Sequence, residues 1–199
     1  MRNLFIALFA LSIPAMAVAT NGDEKTTYTV DASKSTITWK GYKVTGEHAG
    51  TINITEGTVM MDGDKLTGGE FTIDMTSIAV TDLSGDSQGK LEGHLKSDDF
   101  FGVQSFPTAT LKITKLKSKV EGYEVKGDLT IKGITEPVDF TAKVMEKDGM
   151  IHAMSDIKVD RSKYNVRYGS NSFFDNLGDK AIYDEFDLTI NLVLGSANS

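Results

Sequence analysis

Hydrophobic residues recur at every second position through most of this chain. Ile37 and Trp39 alternate with Thr36, Thr38 and Lys40, Ile52 and Ile54 with Thr51, Asn53 and Thr55, and Phe71, Ile73 and Met75 with Thr72 and Asp74. The spacing returns at Ala109, Leu111 and Ile113, through Tyr123, Val125, Gly127, Leu129 and Ile131, and through Val138, Phe140, Ala142 and Val144. It recurs at Ile151, Ala153, Ile157 and Val159, and last at Phe186, Leu188, Ile190, Leu192 and Leu194. A strand turns successive side chains to opposite faces, so this period predicts about eight strands, each with one apolar face.

Turn signals separate them: Asp62-Gly63-Asp64, Gly68-Gly69, Glu121-Gly122 and Asp148-Gly149. Such short turns make consecutive strands antiparallel neighbours, because parallel pairing needs a crossover of about a dozen residues or more. Two segments break the alternation. In Gln88 to Phe101, Leu91 and Leu95 lie four apart, which predicts a short helix with Ser97 as a capping residue for the next turn. Ser172 to Glu185 is polar, with scattered Phe173, Phe174, Leu177 and Ile182, and reads as a loop with one helical turn. No linker divides residues 28–194, so a single all-β domain is expected over residues 20–199. Such strands form a sandwich or a barrel. The surplus of aromatics in connecting segments, namely Phe100, Phe101, Phe106, Phe173 and Phe174, favours a barrel with an opening to line.

Composition narrows the class. The chain has 199 residues, 40% hydrophobic and 25% charged, enough for a real core in one domain. It contains no Cys, which removes disulfides, thiolate metal sites and cysteine nucleophiles. Its formal net charge of -7 argues against nucleic-acid partners. Residues 1–19 read as a secretory signal peptide: Arg2 is the basic region, Leu4 to Ile13 the apolar one, and Ala17-Val18-Ala19 a small-x-small cleavage site. That run is short of the about 20 residues a spanning helix needs. The expected location is therefore periplasmic or secreted.

Few motifs carry chemistry. Gly85-Asp86-Ser87-Gln88-Gly89 fits the nucleophile-elbow pattern, with His94, His152 or His48 as a base, and makes a serine hydrolase an alternative. That pattern belongs to a parallel α/β sheet, so a surface loop is the simpler reading. His94 and Asp98 are four apart on the expected helix, too few ligands to hold a metal without a distant His48; no metal site or cofactor is assigned. Arg161, Lys163 and Arg167 interleave with Tyr164 and Tyr168 and share one parity if the segment is a strand. They read either as a solvated outer face or as a site for a polar head group.

A resemblance adds to this reading. Tyr28-Thr29-Val30-Asp31, Ser35, the run His94-Leu95-Lys96-Ser97-Asp98-Asp99-Phe100-Phe101, Phe106-Pro107-Thr108-Ala109-Thr110, and Gly127 to Val138 (GDLTIKGITEPV) together resemble the YceI-like family of bacterial polyisoprenoid-binding proteins. The resemblance covers about residues 27–194 in the family's order. It implies an eight-stranded antiparallel lipocalin-like barrel with one short helix, a long apolar pore holding a polyisoprenoid chain, and an exported location. Leu91, Glu92 and Gly93 stand where family members often carry an Arg-Asp pair before the His-Leu.

The expectation is a lipid-binding protein, not an enzyme, that sequesters or transports a long-chain quinone or polyprenyl lipid. Parity marks Ile37, Trp39, Phe71, Ile73, Leu111, Ile113, Leu129, Ile131, Phe140, Ile190 and Leu192 as lining, with Phe100, Phe101 and Phe106 at the mouth. The protein is expected as a monomer or homodimer, with transient docking to a membrane or a membrane protein. A solid-cored barrel serving as a structural or interaction module is the remaining alternative.

Overall fold

The computed structural model describes residues 25–148 and 150–198, so the expected signal peptide, residues 1–19, lies outside the described residues. Among the described residues are nine strands and one α-helix: β1 (Lys25–Val30), β2 (Thr36–Lys43), β3 (Gly46–Asp62), β4 (Lys65–Val80), α1 (Gly85–Lys96), β5 (Thr108–Lys119), β6 (Gly122–Ile131), β7 (Ile134–Lys147), β8 (Met150–Asp160) and β9 (Ile182–Asn198). From β3 the ladder runs through β4, β5, β6, β7, β8 and β9 to β2 and back to β3, antiparallel throughout. β1 pairs with β3 and β9, the same neighbours as β2, so the two strands share one position and the barrel has eight. Between them Asp31 accepts the Ser33 amide at 3.1 Å, and Ser35 Oγ takes over the ladder by accepting from the Val193 amide at 3.0 Å. Closure leaves no long edge to pair with another chain.

Two irregularities shape one end. On β4, Asp74 Oδ1 accepts from the Thr76 amide at 2.9 Å, and Ser77 Oγ accepts from the Asn53 amide at 2.8 Å, building a bulge. Pairing of β4 with β5 stops at Asp74 and Thr108, while β4 runs on beside β3 to Val80. α1 and the segment 97–107 occupy the space so opened, with the Met75 amide donating to Pro107 O at 2.9 Å. At the opposite end are the hairpins 62–65 and 119–122, and there the Leu66 amide donates across the strands to Tyr123 Oη at 3.0 Å.

Three boundaries differ from the expected ones. The helix spans Gly85–Lys96 instead of Gln88 to Phe101, ending where Ser97 Oγ donates to His94 O at 2.7 Å. Asp98 is therefore past the helix and does not share a face with His94. β9 begins at Ile182, inside the expected loop, and the single helical turn there is Gly178–Lys180. Arg161, Lys163 and Arg167 are not on a strand: the Asp160 side chain accepts the Ser162 amide and starts a 3-10 turn over Arg161–Tyr164, which Asn165 ends at φ 58°. The three basic residues consequently point to different places.

Candidate ligand cavity

The barrel is hollow. A cavity of about 330 Å³ extends from Lys43, His48 and Tyr183 at the α1 end to Leu66 and Val144 toward the other. That volume is within the range of small-molecule sites, about 300–1,000 Å³. The burial pattern records the same thing. On β7 the inward residues Phe140, Ala142 and Val144 are only half-buried although they face the interior, because they border the cavity.

Of the residues expected to line the lumen, Ile37, Trp39, Phe71, Ile73, Leu111, Ile113, Ile131, Phe140, Ile190 and Leu192 border the cavity. Phe100 and Phe101 border it near α1, their rings edge-on at 5.1 Å. Leu129 and Phe106 do not. Leu129 is inward and buried among core side chains, so correct parity has not brought it to the void. Phe106 is outside the mouth, more than a third exposed, against the 132–133 hairpin where a Cβ on Gly133 would come within 3.2 Å of its ring.

Two glycines show how the wall is shaped. Trp39 rests on Gly50, where a Cβ would meet its ring carbon at 2.5 Å, and its Nε1 donates to Thr51 O at 3.2 Å. This holds the indole flat at the wall. Gly41 borders the cavity and a Cβ there would meet nothing within 4 Å.

α1 covers one side of the opening with Leu91, His94 and Leu95 bordering the cavity, yet none of its residues is fully buried. Polar contacts hold it in place. Glu92 Oε1 accepts from the Val80 amide at 2.8 Å, and Gln88 Nε2 donates to Val80 O at 2.9 Å. The Val80 amide keeps the Glu92 carboxyl below its usual pKa. His48 Nδ1 is 2.8 Å from Asp82 Oδ2. Burial pushes the Asp82 carboxyl up, but bonds from His48 and the Ala49 amide outweigh it and hold the pKa low. Lys132 donates to Phe100 O at 2.7 Å, fixing the aromatic segment, and burial pulls its ammonium below the usual lysine value.

Arg161 is 2% exposed and borders the same end. It donates to Tyr183 O, Val166 O and Ile182 O at 3.1, 2.8 and 3.0 Å, and lies 3.6 Å from Asp184. Its guanidinium sits 5.2 Å from the Phe100 ring centroid. Lys163 is exposed, and Arg167 stacks over Phe173 at 4.9 Å. Sequence parity missed Arg161 as a cavity residue; the Asp160-Arg161-Ser162 segment, where the Asp160 carboxylate accepts the Ser162 amide, is where the strand stops.

Among the described residues no hydrogen bond joins Ser87 to His48, His94 or His152, and His94 Nε2 has no hydrogen-bond partner. Ser87 is exposed in the first turn of α1, His48 is engaged with Asp82, and His152 is 3.4 Å from Asn191 on the outer side. Among the described residues no three His, Asp or Glu side chains gather as metal ligands.

The YceI-like domain model matches residues 28–194, and the chain belongs to that family. A UPF0312 protein of Yersinia enterocolitica is 36% identical over 72 residues, 36% of this chain and 38% of the relative. One from Photorhabdus laumondii is 42% identical over 52 residues, 26% and 27% of the two chains. These alignments span well under half of the curated relatives. Among solved structures, BcnA of Burkholderia cenocepacia superposes with a TM-score of 0.68 at 24% identity, covering 82% of this chain and 98% of that one. A polyisoprenoid binding domain from Saccharophagus degradans implicated in plant cell wall breakdown gives 0.59 at 15% identity over 85% and 98%. Both likenesses support the barrel fold.

Proposed function

We propose that this protein is an exported carrier that sequesters or transports a long-chain isoprenoid lipid, of quinone or polyprenyl type, in the barrel lumen. The observation that carries the reading is a long cavity walled by Ile37, Phe71, Ile73, Leu111, Phe140, Ile190 and Leu192. Membership of the YceI-like family and the name of the Saccharophagus neighbour support the same ligand class. Burying a methylene is worth about 0.8 kcal/mol, so each isoprene unit gains roughly 3–4 kcal/mol by leaving water. Ordering the chain offsets much of that sum. A dry lumen supplies this gain without chemistry, and the carrier needs no catalytic residue. Export rests on the residue 1–19 reading, and loading on transient docking at a membrane or a membrane protein.

The test is mass spectrometry of organic extracts from protein purified out of its native host. The carrier yields one apolar lipid in near-stoichiometric amount, and an extract without such a lipid contradicts it. A Ser87→Ala variant that lost a measured esterase activity would favour the hydrolase instead.

A further inference from the structure

On the outer face of β7 and β8, thioethers and an imidazole gather in one patch. Three of the eight methionines, Met145, Met150 and Met154, surround His152 there. The antiparallel register sets Met145 directly opposite His152, while Met150 and Met154 flank the histidine two residues away on its own strand. Strand residues two apart share a face, and Met154 pairs with Lys143 on one side and Asn191 on the other, in the same outward rows as Met145 and His152. Met145 is 41% exposed. His152 Nδ1 is 3.4 Å from Asn191 Oδ1, and in the tautomer whose Nδ1–H donates to that oxygen the free lone pair is on Nε2. Met150 is less available, because its Sδ already receives the Lys34 ammonium at 3.8 Å.

We propose that Met145, His152 and Met154 form a binding site for Cu(I) on the outside of the barrel. Directly opposed strand residues have Cβ atoms about 4.5–5.5 Å apart and diagonal ones lie about 7–8 Å apart, still within reach of long side chains. Met145 and His152 are opposed, and Met145 and Met154 are diagonal, so three side chains converge over one point of the sheet without backbone movement. Metal bonds of about 2.0–2.3 Å to nitrogen and sulfur suit that spacing. Thioethers are soft ligands that select Cu(I), and imidazole suits copper as well. The set is neutral, with no carboxylate or thiolate to compensate a divalent ion, which favours Cu(I) over Zn(II). Asn191 orients the imidazole from behind, as a partner beyond the metal's own ligands does. The patch is across the wall from the lumen, so its occupancy does not depend on the carrier reading.

The test is competition for Cu(I) between the protein and bicinchoninate in the presence of ascorbate, with Zn(II) as the divalent comparison. Wild type is expected to withdraw one Cu(I) per chain from the chelator. Met145→Leu, Met154→Leu and His152→Gln should each weaken binding about tenfold or more. Met60→Leu removes an exposed methionine that pairs with Thr27 and Gly68 instead of a histidine, and should leave the affinity unchanged. Leucine keeps the volume of methionine, and every variant is checked for a wild-type melting transition. A second measurement needs no variant: Ag(I), a redox-inert probe, should shift the methyl carbon-13 signals of Met145 and Met154 in the wild-type protein and not that of Met60. Failure to take Cu(I) from bicinchoninate, Zn(II) held as tightly as Cu(I), an affinity that survives loss of both thioethers, or an equal Ag(I) shift at Met60 overturns the site.

Discussion

β6 and β9 carry the same alternating pattern, yet their inward residues live in different surroundings. Val125, Leu129 and Ile131 on β6 are buried, and of the three only Ile131 borders the cavity. Phe186, Leu188 and Ile190, in the first half of β9, are half-buried and all border it, whereas Leu192 and Leu194 farther along the strand are buried. Two inward glycines sharpen the contrast. A Cβ on Gly127 of β6 would press Leu111 Cδ1 at 2.9 Å, whereas one on Gly41 of β2 would meet nothing within 4 Å. The lesson is that a period of two assigns a face, while what that face touches depends on side-chain volumes across the barrel. The β6 wall is packed, and the first half of the β9 wall faces open space.

That contrast can be broken by substitution. Leu129→Ala removes a packed side chain and leaves a hole, and chemical denaturation is expected to show a loss of about 2–5 kcal/mol. Ile190→Ala takes the same volume from a wall that already faces a void; its loss should stay under about 2 kcal/mol, since few partners are abandoned. Equal losses at the two sites would mean the β9 wall is packed after all. Gly127→Leu overpacks the β6 wall and should cost about 1–3 kcal/mol. Gly41→Leu should leave the denaturation midpoint within experimental error.

The smallest effect concerns the tether of α1. Glu92 has its pKa lowered by folding, from an ordinary value of 4.5, chiefly through the Val80 amide. Its contribution is present above the unfolded value and fades as pH falls through the lower folded one. Hydrogen exchange at the Val80 amide should therefore rise relative to the barrel strands below about pH 4.5. Glu92→Gln should flatten that dependence, and a pH response that persists in the variant would remove Glu92 from the account.

The barrel was legible in the sequence because alternation, antiparallel turns and the family resemblance agreed on it. Ten lumen residues follow from parity alone, since inwardness is a local property of a strand. Leu129 shows where parity stops: its surroundings are set by Leu111 on the neighbouring strand and by side chains distant in sequence. Phe106 fails for a different reason, because the loop that carries it folds against Gly102 and Gly133 instead of over the opening. Arg161 was misplaced by extending strand parity past Asp160, whose carboxylate ends the strand with a local bond. The bond from the Val80 amide to Glu92 depends on a helix docking angle that no short motif encodes.

The central claim is that the lumen accepts an apolar chain, and blocking it from Gly41 tests that most directly. Titration of wild type and Gly41→Leu with geranylgeraniol, followed by calorimetry, should give one bound chain per wild-type barrel and at least tenfold weaker binding in a variant of unchanged stability. Equal affinity in the two proteins would place the lipid somewhere other than the lumen and contradict the account.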